Sequence, residues 1–260
     1  MTVDVRRVRL LTSIPVALYV LSLSTWPVTA QGIPDEFTNL KVFPEDIAQQ
    51  ELVSAMRGFS MGLGVRCEFC HEGEPGQPLS TFDFASDDKE TKLKAREMLR
   101  MVEAINSDHL ARLASRSEPA VEVSCATCHH GQSRPRTLVA VLLEAYSDGG
   151  AHAAATKYAE LREQYYGSWT FDFGEFQLVQ VAQQLAAAGH YADGIQLLSL
   201  NLEQFPGSAS THFAVGEIHV ATADTSAAIA SYERSLELDP RNSISVVGQS
   251  QVGAYRDRLG

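Results

Sequence analysis

Apolar residues recur at helical rather than strand spacing along most of this chain. Between Pro44 and Leu63 the residues Leu52, Met56, Phe59, Ser60 and Leu63 fall within a band of roughly 100° when plotted at about 100° per residue. Pro44 suits a first turn, and Glu45 and Asp46 would lie at the positive end of the helix dipole. A second periodic stretch spans Asp87 to Ala114, where Ala95, Met98, Val102 and Ile105 share one stripe. After Arg134 the pattern predicts a helix, a break at Gly149-Gly150 and another helix, followed by the aromatic linker "SWTFDFGE" at 168–175. Strand signals are few, and the expectation is an all-α protein.

The C-terminal part carries an internal repeat. Residues 191–208 align with 225–242 at an offset of 34, with Ile195 on Ile229, Leu202 on Leu236 and Pro206 on Pro240. That period looks like tetratricopeptide repeats, with small residues in the first helix (Ala182, Gly216) and proline after the second. One such unit cannot bury its own apolar face, so flanking helices are expected to complete the stack. The repeats are read either as a docking surface for a protein partner or as a helical cap. His152, His190, His212 and His219 lie here without ligand spacing.

The chain start departs from helical amphipathicity. Arg6, Arg7 and Arg9 precede an apolar run from Leu10 to about Leu23, and Val28 and Ala30 occupy the small-residue positions of a cleavage site. This reads as an export signal over residues 1–30, with an uncleaved anchor as the alternative. From 21 basic and 32 acidic residues, its removal takes away three Arg and one Asp and leaves 18 and 31, a net charge of −13. Such a surface repels nucleic acid and anionic lipid and is compatible with a basic protein partner. No later segment is long and apolar enough to span a bilayer.

Cysteine usage changes the picture most. The four cysteines, Cys67, Cys70, Cys125 and Cys128, form two CxxC pairs, each followed directly by a histidine: "CEFCH" with His71 and "CATCH" with His129. Two disulfides or one four-thiolate zinc site would use the same cysteines. Neither use requires a histidine at the same offset twice. Covalent haem c requires every letter: two thiols add across the two vinyl groups of one porphyrin, and the adjacent histidine lies under the iron. Two haem c groups are therefore expected.

The opposite face of each iron decides between an electron carrier and an open, reactive site. Met56 lies on the apolar stripe of the first helix, and Met61 points about 140° away from it. Met98 lies near the centre of the second stripe, with Met101 about 60° off at its edge. Methionine on a helix is more often core filler. Two stripes, each leading into a CxxCH motif, favour ligation, with Met98 and Met101 in competition for the second iron.

Taken together, "ELVSAMRGFSMGLGVRCEFCH", "AREMLRMVEAIN" and "VSCATCHHGQSRP" resemble the photosynthetic reaction-centre cytochrome c subunit family over about residues 40–136. The family carries four haems in two pairs, so the resemblance is to one half of it. It implies electron transfer to a redox partner protein, Met56 opposite His71, and Met98 opposite His129. Two positions depart from the family: His130 stands where an arginine often follows the second motif, and Arg112 stands where a histidine ligand would be, His109 being misplaced for that role. Bis-histidine ligation is therefore not expected.

The resulting expectation is a periplasmic dihaem c-type cytochrome, not an enzyme, with a haem domain at 31–140 and a repeat domain at 141–260. A dihaem peroxidase or small-ligand reductase with one open iron is the enzymatic alternative. A repeat-based docking module whose haems serve as electron inlet or redox sensor is the other.

Overall fold

The computed structural model describes residues 33–34, 36–115, 117–241, and 246, 247, 250, 253 and 254 near the C-terminus. The expected signal segment lies outside the described residues. Among them the secondary structure is all-helical, with one isolated antiparallel bridge between Glu72 and Asp83. No helix of the described residues is long and apolar enough to cross a membrane.

The first long helix, α1, spans Gln49–Leu63. It begins later than the periodicity predicts. Pro44 and Ile47 close a separate turn, and Ala48 is extended at φ −65°, ψ 140°. Gly64 stops α1 in the left-handed region, at φ 65°. Helix α2 spans Glu90–Ala104, starting after an extended Lys89. The predicted helix to Ala114 instead changes at Ile105–His109 into a π turn and at Leu110–Arg112 into a 3₁₀ turn. Asn106 explains the change: its amide donates to Val123 O at 2.9 Å and accepts from Val123 N at 2.8 Å. Its side chain thereby serves the segment leading into the second cysteine motif.

That motif is itself a short helix, α3, Cys125–His129. The final segment of α1 packs against α3. A Cβ on Gly62 would lie 3.1 Å from Ala126 N and 3.3 Å from the Cys125 Cβ, so a side chain there would push α3 back by a few tenths of an ångström. Gly131 N donates to Gly62 O at 2.9 Å and fastens the two.

Helix α4, Leu138–Tyr165, is two helices joined at Gly149 and Gly150, whose backbones are non-helical, as the Gly-Gly break predicts. Thr137 caps its start by accepting from Ala140 N. Helices α5 (Phe176–Ala187), α6 (Tyr191–Gln204), α7 (Ala209–Ala221) and α8 (Thr225–Leu238) follow as helical hairpins. Starts at Tyr191 and Thr225 reproduce the 34-residue offset. Packing runs α5 on α6, α6 on α7 and α7 on α8, with α4 against α5 and α6. Gly216 allows α8 its close approach, because a Cβ there would lie 2.5 Å from Tyr232 Cε1.

The two parts of the chain differ in how they bury surface. Among the described residues, every buried hydrophobic side chain except Leu52 lies at or after Leu138. One cluster joins α4, α5 and α6 around Leu142, Ala154, Tyr158 and Leu178, and a second joins α5, α6 and α7 around Ala182, Leu198 and Ile218. The buried Asn201 bridges helices with its amide nitrogen, donating to Glu175 O at 2.8 Å and to Thr211 Oγ1 at 2.7 Å, while its Oδ1 is buried without a partner. Before residue 138 the structure is held by turns, caps and side-chain contacts to the backbone rather than by an apolar protein core.

Candidate haem-binding site

Each CxxCH motif forms one tight turn that brings its three chemical groups together. In the first, Cys67–Phe69 is a 3₁₀ turn, with Cys70 N and His71 N both donating to Cys67 O, at 3.2 and 3.0 Å. Cys67 and Cys70 are half-buried free thiols. Burial pushes the Cys70 thiol above its ordinary pKa, against smaller opposing pulls from Thr91 and Lys89. The start of α2 grips this turn: Lys89 Nζ donates to Glu68 O at 2.6 Å and the Thr91 hydroxyl donates to Phe69 O.

The His71 ring meets Phe84 edge-on at 5.0 Å, and Phe84 stacks on Phe82 at 5.7 Å. Gly73 is required here, since a Cβ would overlap the Phe82 ring. Burial, followed by the charge of Lys92, lowers the His71 pKa, so the ring is held in its neutral, lone-pair-bearing form. Its Nδ1 is buried without a hydrogen-bond partner.

In the second motif, Thr127 Oγ1 accepts from Ser124 N at 3.0 Å and closes the first turn of α3. His130 ends α3 in the left-handed region at φ 51°. His129 Nδ1 donates to Gln132 O at 2.8 Å. A carbonyl can only accept, so Nδ1 carries the hydrogen and the Nε2 lone pair is available to a metal. Burial raises the Cys125 thiol pKa, while Cys128 is exposed.

Cys128 opens on a cavity of about 1020 Å³ walled by His130, Arg136, Tyr166, Trp169 and Phe173. This is at the upper end of the range of roughly 300–1,000 Å³ typical of small-molecule and cofactor sites. The aromatic linker seen in the sequence forms one wall. Trp169 stacks on His130 at 5.8 Å and 21°, and Thr170 O accepts from the Gln132 amide at 3.3 Å.

Met56 is half-buried in α1, whereas Met61 is 70 % exposed, in agreement with the helical wheel. Met98 and Met101 lie on α2 at 45 % and 46 % exposure, with Leu93 at 43 %. Exposure therefore does not separate the two candidates for the second iron.

The residues fit covalent haem better than the other uses of the cysteines. All four thiols are free, and among the described residues no group of three or more His, Cys, Asp or Glu side chains converges as a metal site. A four-thiolate zinc site would need all four cysteines at one point. The region that carries the motifs buries one hydrophobic side chain of its own and presents Leu93, Met98 and Met101 outward, which suits a large apolar group as its core.

Two features were not read from the sequence. One is the His130–Trp169 stack, which nothing local announces across 39 residues. The other is a set of cations beside the first motif, Lys89, Lys92 and Arg96. Their spacing of three and four residues on one helix face was a signal that could have revealed them.

An all-helical chain with two Cys-x-x-Cys-His turns, each placing a histidine directly after its second cysteine, defines the class of c-type cytochromes. The photosynthetic reaction centre cytochrome C subunit family matches residues 35–180, more than half of the chain, and the protein belongs to that family. Membership implies covalently bound haem c. Cytochrome c-554 of Chloroflexus aurantiacus is 37% identical over 71 residues, covering 27% of this chain and 15% of that protein. The photosynthetic reaction center cytochrome c subunit of Thermochromatium tepidum is 31% identical over 117 residues, covering 44% of this chain and 26% of that protein. The chain thus matches about a quarter or less of the length of these curated relatives.

Proposed function

We propose that this protein is a periplasmic dihaem c-type cytochrome that carries single electrons to or from a redox partner protein. The observation that carries this reading is the pair of Cys-x-x-Cys-His turns in a region with almost no apolar protein core. Cys67, Cys70, His71 and Met56 would hold one haem, and Cys125, Cys128, His129 and Met98 the other. Bound there, haem c supplies one-electron Fe(III)/Fe(II) chemistry, and His/Met ligation sets a relatively high potential.

The chain's own residues do the rest. Phe84 meets the His71 ring edge-on, and Phe82 backs Phe84. Gln132 O fixes the His129 tautomer. Gly62 and Gly64 let α1, which carries Met56, rest on the second motif, so the two sites form one unit.

Residues 31–140 form the haem domain, and residues 141–260 form a tetratricopeptide-like domain that offers a surface for docking the redox partner. The net charge of −11 suits a basic face on that partner.

A pyridine haemochrome assay on the purified chain tests this reading. Two c-type haems per chain are expected, and zero or one would overturn it. The reduced protein should bind little carbon monoxide, because Met56 and Met98 would occupy the positions it needs. Stoichiometric binding at either iron would instead support the open-iron peroxidase or reductase.

A further inference from the structure

Beside the first motif the structure holds three cations, Lys89, Lys92 and Arg96, on backbone carbonyls, with the Asp83 and Asp87 carboxylates on the same segment. Lys92 Nζ donates to three consecutive carbonyls, Phe84 O at 2.9 Å, Ala85 O at 3.1 Å and Ser86 O at 2.6 Å, and pairs with Asp87 at 3.2 Å. Arg96 pairs with the same Asp87 at 2.9 Å and donates to Asn39 O at 3.1 Å. Lys89 sits on Glu68 O, inside the motif itself. The Lys92 and Arg96 side chains are only 12% and 11% exposed, so water screens them little. One carboxylate, Asp87, serves two cations.

Among the described residues, the second motif has no cation held on consecutive backbone carbonyls in this way. Arg136, which lines the cavity beside Cys128, is ion-paired with Glu144, and Arg134 is exposed to solvent.

We infer that Lys89, Lys92 and Arg96 form a cationic collar that makes the site of Cys67, Cys70 and His71 the more oxidising of the two sites. The inference rests on the dihaem carrier reading. Reduction adds one negative charge at an iron, and fixed positive charge in a poorly screened setting stabilises the product of that change. The collar is positioning machinery as well, since Lys92 also holds the 84–86 backbone against His71. Its electrostatic part must therefore be tested separately from its structural part.

The experiment is a spectroelectrochemical titration of the full chain, after the haemochrome count has established two haems. A count other than two overturns the carrier reading itself, and the collar with it. With two haems, Lys89→Gln and Lys92→Gln should each lower the midpoint of the higher-potential wave and leave the lower wave in place. Lys92→Arg, which keeps the charge, should leave both waves unchanged, as should Lys157→Gln at an exposed pair on α4. Should Lys92→Gln fail to load haem, Lys89→Gln decides alone, because it loses one backbone contact. Movement of the lower wave, of both waves equally, or of neither, overturns the inference.

Discussion

Gly64→Ala is the substitution for which the structure specifies the largest local cost. Gly64 ends α1 at φ 65°, where a side chain costs about 1–2 kcal/mol in left-handed backbone. A Cβ there would also lie 2.9 Å from the Gly131 carbonyl carbon and would collide with its oxygen. The obstacle is backbone, so it cannot rotate away. Separating the two segments stretches the Gly131 N–Gly62 O hydrogen bond of 2.9 Å, worth about 0.5–1.5 kcal/mol net. Together these amount to a destabilisation of about 1.5–3.5 kcal/mol. Gly58→Ala supplies the internal control: it lies within the same helix with nothing within 4 Å of its Cβ, and should stabilise by about 0.5–1 kcal/mol. Guanidinium unfolding of the holoprotein, followed by far-ultraviolet circular dichroism, measures both. If Gly64→Ala lies within 0.5 kcal/mol of the parent, the contact between α1 and the second motif is not as described and the reasoning fails.

Other outcomes follow from the same geometry. Gly216→Ala should destabilise the repeat helices by about 1–3 kcal/mol through overlap with Tyr232, read in the same unfolding assay. Chain produced without haem attachment should lose the order of residues 33–136 while α4 to α8 stay helical; hydrogen exchange that protects both parts equally would contradict this. Met56→Ala should open the first iron to carbon monoxide, and Met98→Ala the second, with Met101→Ala inert; carbon monoxide binding by Met101→Ala alone would reverse the assignment. The His212 pKa lies below its ordinary value, mainly through burial and then through Arg234. Its unfolded form therefore protonates first, so the stability of the repeats should fall as pH drops below about 6.5, and His212→Gln should flatten that slope.

Much of the architecture was readable from spacing. The 3.6-residue period located α1 and α2, the Gly-Gly pair marked the break in α4, and the 34-residue offset placed α6 and α8. Helix ends were less legible. The Pro44 turn delays α1, and Asn106 diverts α2 into a π turn by bonding to Val123, a residue that no local pattern connects to it. Long-range hydrogen bonds override local propensity at such ends because each satisfies a backbone group that would otherwise lack a partner.

The sequence alone pointed to covalent haem at the Cys-x-x-Cys-His motifs. Vinyl spacing and an adjacent ligand dictate Cys-x-x-Cys-His regardless of fold, so the candidate anchoring cysteines and histidines could be named before any coordinates. Tertiary structure decided how those motifs are surrounded. It set α1 against the second motif, stacked Trp169 on His130, and folded Lys89, Lys92 and Arg96 around the first. These contacts join residues tens of positions apart, and their energies depend on burial and distance, which no local pattern encodes.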